Sequence, residues 1–288
     1  MSLRGAELRA AVNALTATPP SDDRGDPDPA VVAALEPRFE SVPDVRDRLD
    51  ALADRLAASG DRRAVFLAVY ARMSRRTAAA LDAGHFDDTA WVRRYLVNFA
   101  ERYRRAALDF ERGTRTTPAW RVAFGAATDE QTLVIQDALC GILAHVVYDL
   151  AFTLRDVGLS PDRVVKKRDH DRVNDLLAGL VDDVQSSLAT RFSAEGLADA
   201  DRLLGGFDER VTTVGLREGR AFAWRSGVAL ADGGRLRRTL TRRWVGVVAT
   251  GAVLSALAPT GDPRLYRRLA DLERDLSVAS LVDAVRVG

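Results

Sequence analysis

The most strongly apolar stretch of the chain extends from Ala138 to Leu154, and its only strongly polar side chains are His145 and Asp149. A helix that is hydrophobic on nearly every side is normally surrounded by other elements in a protein core. The pattern therefore predicts a buried central helix over about residues 130–157. Asp129 is a suitable N-cap for this helix.

Amphipathic patterns with the period of an α-helix lie on both sides of this stretch. No alternation of valine, isoleucine and threonine is long enough to indicate a β-sheet. The predicted fold class is therefore all-α, a single multi-helix globular domain around the central helix. Its other predicted helices cover residues 30–40, 44–60, 61–84, 89–112, 169–188, 235–258 and 263–286, with one more around Phe222 and Trp224.

The start of the chain has a different composition. A short amphipathic helix is followed by residues 18–30, where four prolines and four aspartates indicate a tether. We therefore expect two parts, an N-terminal helix with its tether over residues 1–30 and an all-α domain over residues 31–288.

The helix predicted over residues 89–112 carries a stripe of aromatic residues, which helical spacing places on one side. They are Trp91, Tyr95, Phe99, Tyr103 and Phe110. We expect this side to face the core. Glu101 projects almost opposite the stripe, toward solvent or toward a second packed layer.

The central helix carries the first candidate site. His145 and Asp149 are four residues apart, so they project within roughly 40° of each other. Asp137 lies on roughly the same side, and Gly141 between them leaves room for a side chain, water or an ion. A buried carboxylate without partners costs several kcal/mol, so Asp149 needs a hydrogen bond, a cation or a metal. Either the pair satisfies itself structurally, or it belongs to a functional pocket.

The segment DHDRVN, residues 169–174, carries the second candidate site. His170 and Asn174 lean toward the apolar face of the predicted helix. Asp169 or Asp171 can cap its N-terminus. The first-turn N–H groups, with the basic residues 166–168 just outside them, suit an anionic ligand.

Together these residues suggest two kinds of chemistry. Imidazole and carboxylate form a general acid/base pair, or they supply ligands to a zinc- or iron-type ion. The catalytic candidates are His145, Asp149, His170 and Asn174, and the metal candidates are the first three of these. If the two helices form an antiparallel hairpin, Asp149 lies about 12 Å and His145 about 18 Å from His170. Unless the connection between the two helices runs back along the first helix, the two histidines belong to separate polar clusters.

Composition excludes several classes. The net charge is +1, from 42 basic and 41 acidic residues, so no global field indicates nucleic acid or an anionic membrane as a partner. The single cysteine, Cys140, excludes an internal disulfide and a Cys₄ zinc site. The N-terminus lacks the apolar core of a signal peptide, so we expect a cytoplasmic protein.

Two apolar segments approach the length of a membrane span. The run from Ala138 to Leu154 and the segment Trp244 to Ala258 are both shorter than the ~20 residues that span a bilayer. We therefore expect two core helices and no integral membrane segment. Membrane association through residues 244–258 is the alternative, and it requires an exposed apolar face there.

Several segments, taken in order, resemble a known family. They are WVRRYLVNFAERYRRAALDFERG, PAWRVAF, QDALCGILAHVVYDLAFTL and DHDRVNDLL. They are similar to the uncharacterised prokaryotic family catalogued as domain-of-unknown-function family 5995, over residues 60–230. Where that family is expected to carry HINYDL, this chain has Val146, Val147 and Tyr148 after the histidine, so the asparagine is absent. The resemblance implies a helical fold and the relevance of His145, Asp149, His170 and Asn174.

These observations predict an enzyme or a small-ligand-binding protein with a buried His/Asp pocket, in which a divalent metal is a candidate cofactor. His145 acts as acid/base or ligand, Asp149 orients it, and His170 and Asn174 complete the site. The alternative is a non-catalytic helical scaffold or interaction protein, whose buried polar residues fix helix register. One pocket containing both histidines favours the first, and two sealed polar pairs favour the second.

Overall fold

The computed structural model describes residues 5–19, 26–129, 132–194, 213–258 and 263–287. Within these ranges the chain forms twelve helices and no β-strand, which confirms the all-α prediction. The helices are α1 (Gly5–Thr16), α2 (Pro29–Leu35), α3 (Val42–Ala58), α4 (Arg63–Asp82), α5 (Thr89–Glu111), α6 (Pro118–Asp129), α7 (Val134–Val157), α8 (Arg163–Ala194), α9 (Thr213–Asp232), α10 (Arg235–Leu257), α11 (Pro263–Asp275) and α12 (Val278–Val287).

The central helix α7 begins at Val134, slightly later than the pattern predicts. Asp129 is not its N-cap, because Asp129 is the last residue of α6. The side chain of Gln136 caps the helix instead, since its Oε1 accepts the backbone N–H of Leu133 at 3.0 Å. Gln136 also donates to the carbonyl of Ala256 at 3.0 Å, which ties the start of α7 to the end of α10.

By length and composition α7 could cross a bilayer, since the helix extends beyond the apolar run that predicted it. However, 83% of its most apolar 18-residue window is buried in the fold. It contacts α4, α5, α6, α9 and α10. Burial on almost all sides explains why its sequence is apolar at almost every position.

The aromatic stripe of α5 faces the core as predicted, and all five of its rings are buried. Glu101, on the other side of the helix, is also buried. Its carboxylate pairs with Arg104 at 2.6 Å and accepts the backbone N–H of Phe39 at 3.4 Å. The opposite side of α5 therefore faces a second packed layer, formed by α2 and the residues that follow it, rather than solvent.

The N-terminal helix α1 packs along α10. Their approach is very close at Gly251, where a Cβ atom would lie 1.6 Å from the carbonyl oxygen of Ala10. Asn13 also donates from its side chain to the hydroxyl of Ser255 at 2.6 Å. Residues 20–25 of the predicted tether lie outside the described residues, and the division between residues 1–30 and 31–288 stays a prediction.

The segment over residues 244–258 is a core helix as expected, and the exposed apolar face that the membrane alternative requires is not seen there. Val245, Val248, Val253 and Leu254 are all buried, and Trp244, Val247 and Leu257 are partly buried. The segment packs against α1, α6, α7 and α9. In the same region, the helix predicted over residues 263–286 is two helices, α11 and α12.

Candidate functional site

The predicted pair of His145 and Asp149 is present at the centre of the molecule. Both residues lie in a π-helical turn of α7, Ala144–Asp149, and single π-helical turns occur frequently at functional sites. The Nδ1 atom of His145 lies 2.9 Å from Oδ2 of Asp149. Trp120 of α6 donates its indole N–H to the same oxygen at 2.8 Å. Asp149 therefore has two partners, one of which the sequence analysis did not identify.

Aromatic rings surround the imidazole of His145. The ring of Phe99 stacks on it with centroids 3.5 Å apart, and Tyr70 contacts it edge-on at 4.7 Å. Only 3% of the residue is exposed, and this burial lowers the pKa of His145 although the hydrogen bond to Asp149 opposes the shift. At neutral pH the ring is therefore uncharged. Because Asp149 is an acceptor, the proton is on Nδ1 and Nε2 carries the lone pair.

The Nε2 atom of His145 has no hydrogen-bond partner among the described residues, although it is buried. Native proteins rarely leave a buried polar atom unpaired, so each such atom needs an explanation such as a missing ligand. A neutral imidazole, oriented through Nδ1 by a carboxylate and free at Nε2, is an arrangement that can accept a proton.

The space that Gly141 leaves beside this pair is not free for water or an ion, as the sequence suggested. The ring of Phe66 from α4 fills it, and a Cβ atom on Gly141 would lie 2.5 Å from Cγ of that ring. Phe66 in turn packs against the imidazole of His145, with ring centroids 6.2 Å apart. Gly141 therefore allows α4 to approach the central helix closely.

Asp137 belongs to another cluster at the start of α7. It pairs with Arg62 at 2.7 Å and accepts a hydrogen bond from Thr132, and Arg62 lies 3.9 Å from Glu273. Glu273 also accepts the backbone N–H of Val134 at 2.8 Å. Burial raises the pKa of Asp137 to about 7 and that of Glu273 to about 8.

These two carboxyl groups predict that the protein loses stability as the pH rises. The folded state holds their protons up to about pH 7 and 8, whereas the ordinary values are 3.8 and 4.5. A raised folded pKa contributes stability at low pH that is lost as the pH passes the folded value. The buried histidines, with lowered pKa values, act in the opposite direction only below about pH 6.5. The free energy of unfolding should therefore fall between about pH 6.5 and about pH 9.

Urea unfolding across this pH range tests the prediction. Glu273→Gln should have a smaller dependence on pH than the wild type, because one of the two raised groups is gone. Asp271→Asn is the control, since Asp271 is an exposed residue of the same helix and its loss should leave the dependence unchanged. Equal slopes for wild type and Glu273→Gln would show that this carboxyl group is not the origin.

The second predicted segment lies inside a helix rather than at its start. Helix α8 begins at Arg163, so the basic residues 166–168 are part of its first two turns. The predicted anion site before residue 169 is therefore wrong. Asp169 does not cap α8, because its buried carboxylate accepts the backbone N–H groups of Asp87 and Asp88 at 2.9 and 2.7 Å. It fixes the loop before α5 instead.

His170 and Asn174 face the core as predicted, and they meet a buried arginine that the sequence analysis missed. Arg220 of α9 donates to the carbonyl oxygen of His170 at 2.6 Å and to the side-chain oxygen of Asn174 at 2.5 Å. It also lies 3.4 Å from the hydroxyl of Tyr95. Burial and the nearby cations Arg220 and Lys167 lower the pKa of His170 well below its usual value.

Arg220 is only 3% exposed, and no carboxylate of the described residues lies within ion-pair distance of it. Its position four residues before Trp224, on one helix face, was a weak signal. In an arginine-rich chain that signal does not distinguish a buried arginine from a solvated one. The arginine of the segment FAWRSGVAL, Arg225, is instead partly exposed and pairs with Glu7 at 2.7 Å.

A cavity of about 60 Å³ lies between the two clusters. His145 and Arg220 both line it, and most of the remaining wall is apolar or aromatic. Asp149, His170 and Asn174 do not line it. The cavity therefore brings together His145, from the first predicted segment, and Arg220, which was not predicted. His170 and Asn174 accept hydrogen bonds from Arg220 and hold it in position.

The described residues contain no group of three His, Cys, Asp or Glu side chains that could hold a metal ion. His145, Asp149 and His170 are thus not gathered around one position, and the two histidines belong to separate clusters. The prediction of a divalent metal gains no support from this arrangement.

Comparison with known proteins identifies a family and adds no activity. Searches of curated proteins and of solved structures found no match. Residues 42–256 match the family of unknown function DUF5995, and this range includes both polar clusters and the cavity between them. The match covers more than half of the chain, so the protein belongs to the DUF5995 family.

Proposed function

We propose that the protein binds a small anion in the cavity between His145 and Arg220, and that His145 exchanges a proton with the bound molecule. One observation carries the proposal. Arg220, which has no carboxylate partner in the described residues, shares a cavity with His145, whose buried Nε2 atom also lacks a partner. A single ligand that carries both a negative charge and an O–H or N–H donor would satisfy both groups, because Arg220 donates and Nε2 accepts.

The charge of Arg220 supports an anionic ligand. Its described partners are a carbonyl, an amide oxygen and a hydroxyl, all neutral. Removal of a cation from water is expensive unless an opposite charge compensates, and buried charges are normally paired. Arginine is also suited to planar anions, because its guanidinium can donate two parallel hydrogen bonds to a carboxylate.

The size and walls of the cavity limit the ligand. A volume of about 60 Å³ accommodates a molecule of only a few non-hydrogen atoms. Its walls include the aromatic rings of Phe66, Tyr70 and Phe99, which exclude water and strengthen electrostatic interactions inside. A short carboxylate that also bears a hydroxyl group fits these properties, with its charged end toward Arg220.

His145 has the orientation and the protonation state that a proton acceptor requires. Asp149 holds the proton on Nδ1, so Nε2 is the basic atom, and burial keeps the ring neutral at physiological pH. Asp149 thus orients the imidazole and fixes its tautomer, as a carboxylate does for a histidine general base. The reaction class that fits is removal of a proton from a bound small acid or from a water beside it.

A structural role is the second candidate, and one observation favours it. Oδ2 of Asp149 accepts hydrogen bonds from both Trp120 and His145, as expected for a polar pair that only fixes how α6 packs on α7. On this interpretation Arg220 fixes the packing of α9 on α8 and α5 in the same way. The two candidates differ in whether the cavity binds anything.

Anion binding can be measured as an increase in thermal stability. We expect formate or acetate to stabilise the wild type by about 2.7 kcal/mol at one hundred times the dissociation constant. Sodium gluconate at equal ionic strength is the reference, because that anion is too large for the cavity. Arg220→Met should abolish the stabilisation, since the neutral side chain fills similar space but cannot bind an anion.

Arg217→Met is the matched control for this variant. Arg217 lies one turn earlier on the same helix, is exposed and pairs with Asp175 at 3.5 Å. This variant should respond to formate and acetate as the wild type does. If neither anion stabilises the wild type more than gluconate, or if Arg220→Met responds equally, the binding proposal fails and the structural candidate is preferred.

A further inference from the structure

The first three turns of α10 form a strongly basic and exposed surface. Every residue from 234 to 243 is exposed except Thr241. This segment contains five arginines, at positions 235, 237, 238, 242 and 243, and residues 235–258 contain no aspartate or glutamate. The net charge of +1 for the whole chain therefore conceals a local excess of five positive charges.

These arginines have no carboxylate partners among the described residues. The side chain of Arg238 donates to the backbone carbonyl of Ala231 at 3.1 Å, which is a neutral partner. Elsewhere exposed arginines are commonly paired, as Arg217 is with Asp175 and Arg93 with Asp82. The contrast marks the start of α10 as a surface that lacks its own counter-charges.

Large apolar side chains lie among these arginines. Leu236 is 75% exposed and Leu240 is 57% exposed, and they are one turn apart on the same face of α10. Helical geometry places them roughly opposite Val245, which is buried. The leucines therefore point outward, with Arg243 on one side of them and Arg237 on the other.

The start of α8 extends the same surface. Arg163 pairs with Asp232, at the end of α9, at 2.8 Å, which places the first turn of α8 near the turn into α10. The next residue of α8, Val164, is 77% exposed. Exposed apolar side chains of two helices thus occur at one end of the molecule, together with the arginine cluster.

We propose that this surface, residues 234–243 with Val164, docks the protein on an anionic lipid membrane. Outward apolar residues flanked by arginine are the pattern of a helix that lies in the interface of a bilayer, where the arginines meet lipid phosphates and the leucines enter the acyl region. Arginines alone would suit a nucleic acid, whose phosphates bind cationic side chains. Exposed leucines between the arginines add nothing to such binding. The surface uses none of the residues that line the His145 cavity.

Vesicle co-sedimentation of the full chain tests the proposal. We expect binding to phosphatidylcholine vesicles that contain phosphatidylserine to be at least tenfold tighter than to pure phosphatidylcholine, and to weaken as salt is raised. The double variant Leu236→Ser/Leu240→Ser keeps all charges and should bind at least tenfold more weakly. The variant Arg235→Gln/Arg237→Gln/Arg243→Gln, which removes the arginines nearest the leucines, should lose a similar amount.

Leu8→Ser/Val12→Ser is the matched control, because these exposed apolar residues of α1 lie outside the arginine cluster. It should bind as the wild type does. All variants change exposed residues, and unchanged circular dichroism and thermal midpoints would verify that they fold. Equal binding to neutral and anionic vesicles, full binding by the serine variant, or tighter binding to single-stranded RNA than to vesicles would each overturn the proposal.

Discussion

Replacement of Asp149 by alanine is expected to lower the free energy of unfolding by about 3–5 kcal/mol. The change leaves two buried donors, the indole N–H of Trp120 and the Nδ1–H of His145, without their shared acceptor. Each unsatisfied donor costs about 1–3 kcal/mol, and the truncated side chain also leaves a void. Because domains are stable by only about 5–15 kcal/mol, such a loss should be visible in urea unfolding at neutral pH.

Asp149→Asn separates the hydrogen bonds from the charge. Both donors contact the same oxygen of Asp149, so an amide oxygen in that position can accept both bonds. We expect this variant to be much closer to the wild type than Asp149→Ala is. A loss below about 1 kcal/mol in Asp149→Ala would mean that the pair is not structural, since a typical hydrogen bond alone contributes that much.

Gly141→Ala is expected to destabilise the protein by about 2–4 kcal/mol, although alanine is the better helix former. The new methyl group would lie 2.5 Å from Cγ and 3.1 Å from Cβ of Phe66. Rotation of the ring about the Cβ–Cγ bond moves neither Cβ nor Cγ, so the clash remains. Helix α4 must therefore shift away from α7. The shift would also displace the packing of Phe66 against His145, and with it one wall of the cavity.

Gly246→Ala provides the control for this substitution. Gly246 also lies inside a helix, α10, but apart from the adjacent backbone of that helix no atom lies within 4 Å of the position that its Cβ would take. There the same change should stabilise the protein by about 0.5–1 kcal/mol, because alanine loses less entropy in a helix. A stabilising Gly141→Ala would contradict the close approach of α4 and α7.

The candidate site was only partly predictable, and the reason is the range of the interactions. His145 and Asp149 are four residues apart on one helix, so their pairing follows from helical geometry alone. Arg220 was missed because its burial depends on helices that are distant along the chain, and nothing in its neighbouring residues separates it from the many solvated arginines. Gly141 was misjudged for the same reason, since Phe66 fills its space from another helix.

The role of Asp169 in the second polar segment was predicted wrongly because the start of its helix was placed too late. The pattern from residue 169 onward is clear, but α8 begins at Arg163, before the apolar periodicity becomes visible. Asp169 therefore looked like an N-cap, whereas its carboxylate caps a loop of another element. A polar residue near a helix start can serve either purpose, and only its distant partners decide which.

By itself the sequence determined the helical class, the buried central helix and the inward direction of its polar pair, because these depend on periodicity and on the cost of burying charge. It also determined the family. The tertiary structure alone decided that His145 shares a cavity with Arg220 rather than with His170, and that the exposed apolar surface of α10 precedes residue 244. Both depend on which helices pack together, and helix packing joins residues that no local pattern relates.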